Sequence, residues 1–157
     1  MTVVNERDLD WTETNEGDAR FRRKRLGREA GGEELGCSLY ELPAGERSWP
    51  YHYHTGNEEA LYVLAGGGVL LCDGEDRALE PGDYAALPAG ERGGHRVVND
   101  TDSPLRYLAV STMRDPDVTV YPESGKIGVF GGSPPGGSGE RDVHGYYDCD
   151  ATVDYWE

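Results

Sequence analysis

Between Cys37 and Thr112, clusters of Gly, Pro, Asn and Asp interrupt the chain every eight to twelve residues. The segments they leave, Cys37–Leu42, Ala60–Ala65, Val69–Cys72, Tyr84–Leu87, Gly94–Val98 and Leu105–Thr112, are short and apolar or alternating. A strand needs only four to eight residues, roughly, whereas an amphipathic helix needs ten or more. No such helix can be drawn here. Regular turn punctuation of this kind suits an all-β barrel or sandwich of short antiparallel strands. At 157 residues the chain is long enough for one domain with a real core. The expected layout is a single antiparallel β-barrel over residues 36–112, with an irregular N-terminal arm and lead-in strand in 1–35. Residues 113–157 form a C-terminal extension, with a Gly- and Pro-rich flexible linker at 131–139 and an aromatic tail carrying Tyr146, Tyr147, Tyr155 and Trp156. That aromatic content predicts docking on the barrel or on a neighbouring subunit.

Three of the four histidines fall within this β region. His52 and His54 are two residues apart, which on a strand puts both rings on one face, about 7 Å apart. Thr55-Gly56-Asn57-Glu58 turns the chain. Glu59 opens the next strand, in step with Leu61 and Val63. Two imidazoles and a carboxylate can thus converge on one point, which is ligand chemistry for a borderline divalent metal. His95 supplies a third candidate imidazole. Glu58 is the alternative carboxylate, but strand parity turns Glu59 inward and Glu58 outward. His144 stands alone in the tail and reads as a surface residue.

The pattern Gly45-x6-His52-x-His54-x4-Glu59-x6-Gly66 resembles the first cupin motif. Gly82-x5-Pro88-x-Gly90-x4-His95-x3-Asn99 resembles the second. The resemblance covers about residues 36–112 and implies a double-stranded β-helix barrel with the metal inside one end. It implies His52, His54, Glu59 and His95 as ligands of a divalent transition metal, whether zinc, iron, manganese or nickel. The gaps before His52 and between Gly90 and His95 depart slightly from the family pattern, in loops where insertions cost little. The Tyr121-Pro122-x-Ser124-Gly125-Lys126 stretch resembles a group of small cupins named as candidate sugar-phosphate isomerases.

Net charge is −15, from 30 acidic and 15 basic residues. This argues against nucleic acid or an anionic membrane as partner, since phosphate surfaces reward positive patches. Only two of the basic residues are lysines, a balance resembling proteins of a high-salt cytoplasm. Carboxylate crowding then predicts a thermal midpoint that rises between dilute and molar salt, through screening. An unchanged midpoint would contradict the halophilic reading. No apolar run approaches a membrane span and no basic-then-apolar leader pattern is present, so a cytoplasmic protein is expected. Cys37, Cys72 and Cys149 are an odd set without a CxxC pair, read as reduced, buried, small apolar residues. Phe21–Leu26 is the one basic run, read as a solvated strand or a partner for acidic surface. Gly131–Gly139 lacks the Lys-Ser/Thr ending of a phosphate-binding loop.

Three function classes remain. The first is a metal-dependent isomerase or oxygenase acting on a small polar metabolite, with no further acid or base assignable. The second is a non-catalytic barrel that captures a small ligand such as a sugar. The third is a barrel whose metal is only structural. A homodimer is expected, pairing through outer strand faces. Arg92 and Arg96 are read as partners of surface carboxylates rather than as contacts for an anionic substrate.

Overall fold

The computed structural model describes residues 2–156. In chain order the strands are β1 (Thr12–Glu16), β2 (Ala19–Lys24), β3 (Leu35–Leu42), β4 (Tyr53–His54), β5 (Glu59–Ala65), β6 (Gly68–Cys72) and β7 (Glu75–Leu79). They continue as β8 (Tyr84–Leu87), β9 (His95–Val98), β10 (Leu105–Thr112), β11 (Asp117–Tyr121), β12 (Lys126–Gly131) and β13 (Val143–Asp148). One helical turn, Leu26–Glu29, separates β2 from β3. Three sheets result, with orders β1-β2-β3-β10-β5-β8, β13-β12-β11-β4 and β7-β6-β9. All pairings are antiparallel. The all-β fold expected from the turn spacing is what forms, and its three antiparallel sheets are consistent with the barrel that the cupin resemblance implies.

The inner faces share one apolar cluster. Phe21, Tyr40, Leu42, Leu61, Val63, Leu105 and Tyr107 come from the six-stranded sheet, and Leu70, Leu79 and Val97 from the three-stranded one. Leu42 and Leu105 lie directly opposite one another across β3 and β10, and both are fully buried. Each such side chain contributes about 1.5–3 kcal/mol by leaving water.

The motif glycines and Asn99 hold the corners. Gly66 has φ +78°, and a Cβ there would run into the Pro104 carbonyl. Gly90 has φ +89°, and its N–H donates to the His54 carbonyl at 2.7 Å, tying the second motif to β4. Asn99 is fully buried. Its amide nitrogen lies 2.8–3.0 Å from the carbonyls of Leu42, Pro43 and Ser103. Its Oδ1 accepts from the Thr101 N–H and hydroxyl at 3.0 and 2.8 Å. Asn99→Ala strands at least two buried backbone groups at about 1–3 kcal/mol each. Urea unfolding of this variant should show a loss of about 3 kcal/mol, and a midpoint near wild type would remove this role.

Both ends are more regular than their composition suggests. Thr12–Lys24 is a hairpin that extends the main sheet, and Trp11 lies under the cations of Arg22 and Lys24, each 4.6 Å from its ring. Asp117 opens β11, which pairs with β4, the strand of His54. The Gly- and Pro-rich stretch 131–139, read as a flexible linker, is pinned instead. Ser133 is buried, and Arg141 donates to the carbonyls of Ser133 and Pro134 at 2.9 and 3.0 Å. Tyr146 packs on Tyr121 and Phe130, whereas Tyr155 and Trp156 are more than four-fifths exposed. The expectation of three buried cysteines also needs correction, because Cys149 is exposed and Cys37 and Cys72 are only partly covered.

Candidate metal centre and its cavity

His54 ends β4, Glu59 opens β5 and His95 opens β9. His52 precedes β4 and forms an antiparallel bridge with His95, exchanging N–H···O bonds of 3.2 and 2.9 Å. That bridge joins two sheets at one end of the barrel and brings both motifs together. Ligand atoms of His52, His54 and Glu59 all lie within 4.8 Å of one another. His95 stands beside this trio, its Nε2 at 3.5 Å from Glu59 Oε2 and its ring centroid 4.8 Å from that of His52. His54 Nε2 is 3.6 Å from the same carboxylate oxygen. Glu58 is exposed and faces away, its backbone bonded to Thr112 at 3.0 and 2.9 Å. His144 packs on Phe130 and Tyr146, between β12 and β13.

The other ring nitrogen of each histidine is held from behind. His52 Nδ1 is 2.8 Å from the Pro50 carbonyl, and His95 Nδ1 is 2.9 Å from that of Gly93. Carbonyls only accept, so Nδ1 carries the proton in both rings and Nε2 is a bare acceptor in the neutral form. His54 Nδ1 lies 2.6 Å from Asp117 Oδ2 and 3.1 Å from the Thr119 hydroxyl. Asp117 Oδ1 accepts from the Gly56 N–H at 3.0 Å. Asp117 and Thr119 are almost completely buried.

Burial pushes His52 well below the usual histidine range, and the nearby His95 and His54 act the same way. Burial likewise lowers His95, against the pull of Glu59. At His54 burial is again the largest influence and acts downward, but the Asp117 hydrogen bond and the charges of Glu59 and Asp117 together lift it above its ordinary value. Burial opposes ionisation of Asp117, yet the His54 bond and charge and the Gly56 N–H hold it below the usual carboxylate range. Neutral Nε2 acceptors of His52 and His95 therefore surround a carboxylate, which is also an acceptor. Acceptors crowded around one point are satisfied by a cation between them, so the donor set fits a divalent metal.

The site opens into a cavity of about 1490 Å³. Its lining includes Trp49, Leu61, Val97, Tyr107, Ala109 and Tyr121, and also Arg23, Arg25 and Arg28. Arg96 is not available to a substrate, because it is buried and donates to Asp18 at 2.7 Å. Sequence reasoning missed Asp117, Thr119 and Tyr121, whose ring stacks on His52 at 5.9 Å. Their signal was the two-residue period through Asp117, Thr119 and Tyr121, obscured by Pro116.

Comparison with known proteins agrees with this architecture. Residues 38–111 match the cupin domain family model. A sugar phosphate isomerase of the cupin superfamily from Silicibacter pomeroyi superposes with a TM-score of 0.81 at 25% identity, covering 98% of both chains. A candidate sugar phosphate isomerase from Acidithiobacillus ferrooxidans superposes with a TM-score of 0.79 at 26% identity, covering 94% of this chain and 90% of that one. An oxalate-binding protein from Thermotoga maritima is 36% identical over 70 residues, 45% of this chain and 55% of its own length. This chain thus spans about half the length of that curated relative. With both motifs, the fold and the domain match in agreement, residues 38–111 form a cupin domain. Among the described residues no helix is long and apolar enough to cross a membrane.

Proposed function

We propose that this cupin is a metal-dependent enzyme that converts a small hydroxy-carbonyl metabolite, a sugar or sugar phosphate, by isomerase-like chemistry. The observation that carries the reading is the convergence of Nδ1-anchored His52, His54 and His95 with Glu59 on the wall of a roomy cavity. The likeness to two structures named for sugar phosphate isomerases supports the substrate class. These four side chains would hold the ion, which when bound supplies a Lewis acid for the substrate's hydroxyl and carbonyl oxygens. Asp117 and the Pro50 and Gly93 carbonyls fix the rings so that Nε2 faces inward. Burial raises both Tyr107 and Tyr121, so their hydroxyls stay protonated at neutral pH and can donate to substrate oxygens. Trp49, Leu61 and Val97 add apolar lining to the cavity.

The test is to load the protein with zinc, manganese, iron or nickel and incubate it with aldose and ketose phosphates in deuterated water. Interconversion seen by NMR in wild type and lost in Glu59→Gln supports the isomerase reading. Oxygen uptake without interconversion would replace it with an oxygenase. Saturable sugar binding without turnover would favour the non-catalytic alternative, which the similarity to an oxalate-binding protein keeps in view.

Assembly as a homodimer belongs to the same reading. β13 pairs with β12 on one side, and its Val143, Tyr146 and Tyr147 are each at least half exposed. Such an edge offers both backbone hydrogen bonds and apolar area to a second copy. Light scattering in molar salt is expected to give twice the chain mass, and a monomer at every concentration would contradict it.

A further inference from the structure

We propose that Arg23 and Arg25 form an anion-binding subsite in the cavity, receiving a phosphate or carboxylate of the substrate whose hydroxy-carbonyl end meets the histidines and Glu59. This rests on the reading of that cavity as an active site. The basic run of β2 divides by strand parity. Arg22 and Lys24 point to the outer face, where Arg22 donates to Glu41 at 2.6 Å and Lys24 to the Glu6 carbonyl at 2.6 Å. Ala19 and Phe21 point inward and are buried in the core. Arg23 continues that inward face, and both it and Arg25 line the cavity that His52, His54, Glu59 and His95 also line.

The two inward arginines are short of partners. Thirty carboxylates outnumber the basic residues two to one. Among the described residues, Arg20, Arg22, Arg47, Arg77, Arg96 and Arg106 each have a carboxylate oxygen within 4.0 Å. Arg23 and Arg25 have none, as is also true of Arg7, Arg28, Arg92, Arg114 and Arg141, but among the described arginines only Arg23 and Arg25 combine that lack with a buried, unbonded Nε. The Nε atoms of Arg23 and Arg25 are buried and make no hydrogen bond. Arg96 and Arg106 also have a bare Nε, but their charge is answered by Asp18 and Glu6.

Arg23 is held in place rather than swinging free. It donates to the Tyr40 hydroxyl at 3.2 Å and lies over the Trp49 ring at 5.2 Å. Tyr40 stacks on Tyr107 at 5.2 Å between ring centroids, and both line the cavity. The cations and the candidate metal centre thus line one cavity, together with Tyr40 and Tyr107. Glu16, Glu33 and Asp115 also reach the lining, yet none forms an ion pair with Arg23, Arg25 or Arg28. In a protein of net charge −15, long-range attraction cannot gather anions. A pocket of unpaired guanidiniums with rigid donor geometry can.

Isothermal titration of the metal-loaded protein with inorganic phosphate at fixed ionic strength tests this. Saturable binding is expected in wild type, weakened about tenfold in each of Arg23→Gln and Arg25→Gln by loss of charge-assisted hydrogen bonds. Metal content is measured in the same samples and should be unchanged in both, which also shows that they have folded. Glu59→Gln, by contrast, should lose metal while its arginines are intact, so failure of the metal reading shows there and not in the arginine variants. Acetate is titrated separately. Acetate binding that depends on the same two arginines supports the subsite with a carboxylate as the natural group, and phosphate binding alone supports it with a phosphate. No saturable binding of either anion to wild type, or equal binding in both arginine variants, overturns the proposal.

Discussion

Glu59→Gln is expected to leave the protein folded and nearly free of metal after dialysis against a weak chelator. The carboxylate is the only negative charge in the proposed ligand set, and it lies 3.5–3.6 Å from two histidine Nε2 atoms. The amide keeps the shape and removes the charge. The loss should exceed the roughly 10–100-fold that removing an outer partner of a ligand typically costs. Glu58→Gln should bind as wild type because that side chain is exposed and points away. His144→Ala should also bind normally. Full loading of Glu59→Gln with loss in Glu58→Gln would overturn the assignment. A pH series adds a sign. Each ring must present a neutral Nε2, so affinity falls as pH drops. Burial keeps His52 and His95 neutral below the usual range, whereas His54 is lifted above it. The first loss on acidification should therefore follow one proton.

Asp117→Ala should damage both stability and metal binding, although Asp117 lies outside the matched cupin domain. Its carboxylate accepts from the Gly56 N–H at 3.0 Å and sits 2.6 Å from His54 Nδ1, and it is almost fully buried. Removing it strands an amide and weakens the hold on a ring, at about 1–3 kcal/mol for each buried group left without its partner. The expected total is about 3 kcal/mol in urea unfolding, with metal affinity down by about 10–100-fold because the His54 ring loses its orientation. Asp117→Asn should recover much of the stability, since the amide oxygen can still accept from Gly56. A variant with wild-type metal affinity would show that Asp117 serves the fold alone.

The all-β fold and the proximity of His52, His54 and Glu59 were legible because both rest on local periodicity, whereas His95 entered only through the second motif. Turn residues marked strand ends, and a spacing of two put His52 and His54 on one face. Parity also separated Glu59 from Glu58. What was not legible depended on pairing between distant segments. Thr12–Lys24 looked polar and irregular, yet its strands add to the main sheet, where Arg22 meets Glu41 and Arg23 meets Tyr40. Asp117 follows Pro116, which hides the strand it opens, and its partner His54 is 63 residues away. The stretch 131–139 has the composition of a linker, but Arg141 donating to two of its carbonyls fixes it. The division of the basic run into paired and unpaired arginines followed parity that the sequence did contain. It could be seen only once Ala19 and Phe21 were known to face the core.

The central claim is one divalent ion held by His52, His54, His95 and Glu59, and X-ray absorption on protein purified and loaded with zinc or manganese tests it most directly. The account predicts about one ion per chain, a first shell of nitrogen and oxygen only, and outer scattering from about three imidazoles. A shell containing sulfur from Cys37, Cys72 or Cys149, or a protein that takes up no ion while correctly folded, would contradict it.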